Sequence, residues 1–262
     1  MTNVLLEKKG NIAVATINRP KALNALNSEV LEDLNELVEL VNADEEIRAL
    51  VLTGSGEKAF VAGADIGEMS TLTKAGGEAF GKKGNNVFRK LETMPIPTIA
   101  AVNGFALGGG CELSMSCDIR ICSDNAVFGQ PETGLGITPG FGGTQRLARL
   151  VGMGMAKQMV YSALNINAEE ALRIGLVNAV YPQAELMENA LKLANKIARN
   201  APIAVRNCKK AMNEGISKPI NEAVEVEEKL FGDCFETHDQ VEGMKCFLSR
   251  EKPKPKPVFT NN

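Results

Sequence analysis

Short apolar runs rich in β-branched residues alternate with stretches of helical periodicity through the first two thirds of the chain. This alternation narrows the fold more than any other feature. Residues 12–20 (IAVATINRP) alternate, carry β-branched side chains and end on Asn-Arg-Pro, which predicts a strand and a turn. Ser28 is the expected N-cap of a helix whose apolar face is Leu31, Leu34, Leu37 and Val38. Residues 47–56 (IRALVLTGSG) predict a buried strand, and residues 95–104 (PIPTIAAVNG) repeat it after a helical stretch around Val87, Phe88 and Leu91. Residues 118–129 (DIRICSDNAVFG) read as a strand pair. Beyond Gly142 the pattern turns helical, with apolar stripes at Leu186, Ala190, Leu193, Ala194 and Ile197, and at Ile220, Ala223, Val224 and Phe231. The expected class is therefore α/β, built from loosely recurring strand–strand–helix units and closed by an all-α C-terminal segment. A stripe of that kind must be covered, by a helical subdomain or by another copy of the chain. The final KPKPKPVFTNN cannot be helical and is expected to be an extended, mobile tail.

With 262 residues, the chain is long enough for a sizeable core. A net charge of -3 gives no global basic field for nucleic acid. No run approaches membrane-spanning length, and MTNVLLEKKG has neither an apolar leader core nor an Arg-rich transit pattern. Six scattered cysteines form no C-x-x-C, so buried thiols in a reducing cytoplasm are expected. The single histidine, His238, leaves a His-based metal site or a Ser-His triad little to work with and reads as a polar loop or helix-start residue. Chemistry then falls to carboxylates, backbone groups or a cofactor.

Three glycine-rich segments lie between a strand end and a helix start: residues 59–69 (AFVAGADIGEM), 106–113 (ALGGGCEL) and 128–146 (FGQPETGLGITPGFGGTQR). Glycine lets a backbone approach a ligand, and a helix start presents free N–H groups. Two such groups aimed at one point make an oxyanion hole. Glycine clusters also form plain tight turns, and no segment matches a nucleotide-binding fingerprint. Glu112 and Glu132 each sit inside an apolar, glycine-rich stretch, where a lone carboxylate is costly unless paired. A loop glutamate such as Glu132 is commonly just solvated. Two sharing one water, however, would have their pKa values pushed apart, making one an acid and the other a base.

VNGFALGGGCELSMSCDIRI and FGQPETGLGITPGFGGTQRL, with INRPKALNAL, FVAGADI and EALRIGLVNAV, closely resemble the crotonase (enoyl-CoA hydratase) family over residues 12–250. The resemblance implies a spiral of strand–strand–helix units over residues 1–195, a helical oligomerisation region over 196–250 and a mobile tail over 251–262. It implies homo-oligomers, trimers or dimers of trimers, and a cytoplasmic lyase that hydrates short trans-2-enoyl-CoA thioesters, or dehydrates 3-hydroxyacyl-CoA in reverse. No metal or separate cofactor is implied, since coenzyme A is part of the substrate. By this resemblance Ala64 and Gly109 supply the oxyanion-hole amides, Glu112 acts as base toward water and Glu132 delivers the α-proton. Ala22, Leu23, Ala62, Asp65 and Ile66 fall at CoA-binding positions. Lys58 is a candidate for the pyrophosphate, and Phe231 and Arg250 match positions that reach CoA from a neighbouring subunit. Gly67 stands where some hydratases carry lysine.

Other reactions on the same fold, such as enoyl-CoA isomerisation or thioester hydrolysis, generally go with loss of one of the two glutamates. A glycosidase would also use paired carboxylates, but such sites usually want aromatic platforms, and this chain has no Trp and two Tyr. An RNA-binding module is disfavoured by the net charge.

Overall fold

Strands β1 (Val4–Lys9) and β2 (Ile12–Ile17) form an antiparallel hairpin in which Lys9 faces Ile12. Gly10, at φ 61°, lets the intervening two-residue turn close. They begin the structure, a computed structural model describing residues 1–262. Helix α1 (Ser28–Ala43) follows, then β3 (Ala49–Gly54), β4 (Ala59–Val61), α2 (Ile66–Met69) and α3 (Lys74–Glu92). Next come β5 (Thr98–Val102), β6 (Phe105–Leu107), α4 (Gly109–Met115), β7 (Ile119–Ser123) and β8 (Val127–Gly129). The chain continues through α5 (Gly143–Val151), α6 (Met153–Ser162), β9 (Asn165–Asn167), α7 (Ala168–Arg173) and β10 (Ala179–Tyr181). It ends in α8 (Leu186–Ala198), α9 (Pro202–Gly215), α10 (Ile220–Asp233) and α11 (His238–Leu248).

The strands make two sheets, ordered β1-β2-β3-β5-β7-β10 and β4-β6-β8-β9. Each consecutive pair, β3–β4, β5–β6 and β7–β8, gives one strand to each sheet and is followed by helix. This is the strand–strand–helix recurrence expected from the sequence, wound as a spiral. Residues 118–129 do hold two strands, but these do not pair with each other. The chain crosses between sheets at Asp124, so β7 joins β5 and β8 joins β6.

The large sheet is covered on both faces along its inner strands, so β2, β3 and β5 are largely apolar. Ala13, Ala15, Ile17, Leu50 and Leu52 point into the main core beside α1 and α3. Ile12, Val14, Ala49 and Val51 alternate to the other face and meet α8, whose Ala190, Ala194 and Ala198 allow close approach. Because α8 runs to Ala198, a boundary at residue 195 would cut it.

Other expectations need correction. The side chain of Asn27, not Ser28, caps α1, accepting from the Val30 amide at 2.9 Å. The segment beyond Gly142 is not purely helical, because β9 and β10 interrupt it. Cys208 is exposed rather than buried. His238 is the first residue of α11, as a helix-start reading requires. The tail lacks regular structure but its end is tied down. Arg48 donates to the Phe259 carbonyl at 2.8 Å, and the amides of Thr260 and Asn261 donate to buried Asp239 at 2.7 and 3.0 Å. A buried carboxylate at a helix start needs donors, and the tail supplies them.

Candidate active site

A cleft of about 490 Å³ opens where the start of α4, the 62–66 loop, α3 and the 131–141 segment meet. The three glycines ahead of Glu112 make it possible, each for its own reason. Gly108 has φ 49° and ψ -121°, a backbone that L side chains avoid, and a Cβ there would lie 2.6 Å from Glu132 Oε1. Gly110 lies against β4 so tightly that a Cβ would run into the Val61 carbonyl. Gly109, between them, is thereby brought beside Ala64: a Cβ on Gly109 would sit 3.4 Å from the Ala64 nitrogen.

Both of these neighbouring amides are free. Leu26 donates to Gly63 O at 2.9 Å and accepts from Asp65 N at 2.8 Å, an arrangement that leaves the Ala64 N–H outside the bridge. Gly109 opens α4, where an N–H has no acceptor within the helix. Both residues line the cleft.

Glu112 and Glu132 line the same cleft and are 1% and 8% exposed. Glu112 projects from the first turn of α4, and its Oε1 accepts from the amides of Phe141 at 2.9 Å and Gly143 at 2.6 Å. Burial and then the charge of Glu132 push the Glu112 carboxyl up to about 7, against the pull of those two amides. Glu132 lies in a 3-10 turn (Pro131–Leu135), and burial raises its pKa as well. Its buried Oε2 has no hydrogen-bond partner. Two carboxyls in mutual repulsion hold the last proton jointly. The amides favour charge on Glu112, while the unpartnered oxygen suits a protonated Glu132.

The remaining sequence candidates divide. Ala62 and Ile66 line the cleft. Leu23 and the exposed Ala22 sit on the adjoining turn, where Leu23 O accepts from Ala62 N at 3.0 Å. Lys58 is exposed on the β3–β4 connection, away from the cleft lining. Asp65 serves the local fold: it caps α2 and pairs with Arg19 at 3.2 Å. At Gly67, whose amide donates to Asp65 Oδ1 at 3.1 Å, no side chain reaches toward the cleft. Phe231 packs against Phe235, ring centroids 5.0 Å apart, and neither it nor Arg250 reaches the cleft of its own chain.

Sequence reasoning assigned no role to the amides of Phe141 and Gly143, or to Phe80 on α3, which lines the cleft. The only signal was the glycine-rich GFGG run.

The profile of the family described as enoyl-CoA hydratase/isomerase matches residues 7–258. The short-chain-enoyl-CoA hydratase of Clostridium acetobutylicum is 59% identical over 252 residues, spanning 96% of this chain and 97% of that protein. The crotonyl-CoA hydratase of Syntrophomonas wolfei is 55% identical, over 95% of this chain and 96% of that protein. The crystal structure of an enoyl-CoA hydratase from Bacillus anthracis superimposes with a TM-score of 0.95 at 38% identity, covering 99% of this chain and all of that one.

Proposed function

Because the chain belongs to the enoyl-CoA hydratase/isomerase family, we propose that its cleft adds water to short-chain trans-2-enoyl-CoA, crotonyl-CoA above all. The product is the 3-hydroxyacyl-CoA, and the reverse reaction is its dehydration. Glu112 takes a proton from water as the oxygen bonds to C3. The C2=C3 electron pair moves toward the thioester, whose oxygen gains enolate charge. Glu132 then gives its proton to C2, leaving one proton shared by the pair as before. The amides of Ala64 and Gly109 meet the developing oxyanion, each worth ~3 kcal/mol of transition-state stabilisation. Coenzyme A is part of the substrate, and no separate cofactor or metal enters the scheme. Apolar lining from Met69, Leu72, Phe80 and Phe141 suits an acyl chain.

The observation that carries this reading is a cleft with two buried glutamates and two unpaired amides. Loss of the conjugated-thioester absorbance on mixing with crotonyl-CoA tests it, with C4 to C10 thioesters compared for chain preference. A protein inert toward every one of them is not a hydratase.

A pH dependence follows from the raised carboxyls. Glu112 must be ionised to accept a proton, and its carboxyl is pushed up to about 7. That value is raised in part by the charge of Glu132, so it marks loss of the proton the pair shares: kcat/KM is expected to fall about tenfold per pH unit above it, and again in acid once both carboxyls are protonated. A profile flat from pH 5 to 8 would contradict this assignment.

Ala22, Leu23, Ala62, Asp65 and Ile66 lie along the path for CoA, with Lys58 toward its phosphates. Phe231 and Arg250 belong to the site of a neighbouring copy in a cytoplasmic trimer or dimer of trimers. Helices α9, α10 and α11 form its contacts, and the chain through α8 forms the core. Exposed apolar side chains on α9, α10 and α11 and at the end of α9, including Met212, Ile216, Ile220 and Phe247, support such an assembly. Light scattering should give three or six times the single-chain mass, and a monomer at assay concentration would rule the assembly out. The partners are thus an acyl-CoA and further copies of the chain, not nucleic acid or membrane; no helix is long and apolar enough to cross a membrane.

A further inference from the structure

We propose that Arg146, braced by Glu92, is a positioning residue for Glu112: it holds the glycine-rich loop whose amides grip that carboxylate. The proposal rests on the reading of Glu112 as the group that activates water.

The two donors to Glu112 are the amides of Phe141 and Gly143, on either side of Gly142. The segment also contains Gly136 and Gly140, and so many glycines give a backbone little stiffness of its own. Its position must be set from outside. Arg146, in the first turn of α5, turns back and donates from Nη1 to the Phe141 carbonyl at 2.8 Å. Its Nη2 meets Glu92 Oε2 at 3.1 Å, and Arg89 reaches the same oxygen at 2.8 Å. Glu92 ends α3, so the loop is tied through Arg146 to that helix. Two further contacts join the loop to α3. Asn85 donates to the Gly140 carbonyl at 2.8 Å, and the Phe141 ring packs against Phe80 and Phe88 with centroids 5.2 and 5.5 Å apart. Of these ties, only the Arg146 pair carries charge, and its guanidinium is largely buried, with Nε unpartnered. A planar fork between a carbonyl and a carboxylate fixes distance and direction together.

The charge acts on Glu112 as well. The titratable and charged groups facing Glu112 are Glu132 from the 3-10 turn, Arg146 from α5 with Glu92 and Arg89 of α3 behind it, and Cys111 beside it on α4. The Cys111 thiol, pushed up to about 12, stays neutral. β4 and β6 bring no titratable side chain. Lys74, at the start of α3, lines the same cleft, and Arg146 is the cation whose charge pulls Glu112 toward its ionised form.

The test compares Arg146→Met, Arg146→Lys and Glu92→Gln with the parent in crotonyl-CoA hydration across pH. Glu112 is followed in parallel by 13C NMR titration of the free protein, assigned with Glu112→Gln. Arg146→Met should lower kcat ~10- to 100-fold with KM changed less than about threefold, and move the acid limb and the NMR midpoint upward. Arg146→Lys, which keeps the charge, should return both midpoints toward the parent and recover part of kcat. Glu92→Gln should move both midpoints downward, because it removes a negative charge that offsets the arginine. A brace that served only the fold would lower melting temperature and kcat together with both midpoints unmoved. That result, or a shift of the same sign in Arg146→Met and Glu92→Gln, overturns the proposal. The NMR titration needs no turnover, so a protein that proves inactive on enoyl-CoA would remove the proposed function while these midpoints still decide the role of Arg146.

Discussion

Glu112→Gln and Glu132→Gln are each expected to lower crotonyl-CoA hydration by ~10²- to 10⁴-fold, with CoA binding retained. Each substitution keeps the shape of the side chain and removes its ability to exchange a proton. The double variant should fall far short of the product of the two losses, because the glutamates act on one transition state. Near-parent turnover in either single variant would strike that glutamate from the mechanism. Glu112→Gln has a second signature that does not depend on catalysis. The carboxyl is raised from 4.5 to about 7 in the folded chain. A raised carboxyl adds its full stability below the unfolded value and loses it as pH rises through the folded one. Above pH 7 the ionised, buried Glu112 therefore opposes folding by up to on the order of 3 kcal/mol. Glutamine escapes this penalty, and its amide oxygen can still accept from Phe141 and Gly143. The variant should match the parent in urea unfolding near pH 4.5 and exceed it at pH 8. An equal difference at both pH values would mean that the carboxyl is not raised. The same burial that raises the Glu112 carboxyl toward neutrality thus weakens the fold.

How much of this was legible in the sequence depended on whether a feature left a mark in residue type. Glu112 and Glu132 did, because a charge in an apolar glycine-rich stretch is conspicuous, and both line the cleft. Strands β2, β3 and β5 did, because both faces of the large sheet are covered there and the runs are largely apolar. Strand β1 did not, since it forms the sheet edge and half of VLLEKK is charged. β9 and β10 are three residues each, too short for any period to show. Asn27 and Ser28 are both competent caps, and backbone geometry chose the first. The crossing between sheets at residues 124–126 carries the polar turn residues of a hairpin, so composition could not tell the two apart. The roles proposed for Ala64 and Gly109 rest on main-chain N–H groups that every residue except proline has, and only the family resemblance singled them out. The amides of Phe141 and Gly143 are equally anonymous. The bracing of Arg146 by Glu92 joins positions 54 residues apart in the chain, which a single sequence does not connect.

Gly110→Ala should be the most damaging single methyl group that can be added near the site. Helix propensity predicts the opposite, since alanine is favoured over glycine inside a helix by ~1 kcal/mol. The close approach of α4 to β4 decides the matter. A Cβ at position 110 would lie 2.7 Å from the Val61 carbonyl carbon and 2.9 Å from its Cβ, with the carbonyl oxygen nearer still. Those atoms cannot retreat, because β4 is fully buried and paired to β6. Nor can α4 slide freely, since all seven of its residues are buried. Overpacking of side chains commonly costs about 1–3 kcal/mol; a clash between two pieces of backbone should cost at least about 3 kcal/mol, read as a lower urea midpoint. Any relief must move α4 away from β4, and α4 carries both the Gly109 amide and Glu112. Molecules that still fold should therefore have lost the spacing between the Ala64 and Gly109 amides, and with it ~10²-fold or more in kcat. Gly154→Ala is the matched control, because that glycine lies in α6 with nothing within 4 Å of an added Cβ. It should gain up to about 1 kcal/mol and keep full turnover. If Gly110→Ala matched the control in stability and rate, the close contact between α4 and Val61 would not exist in solution, and the amide pair it sets would have no structural basis.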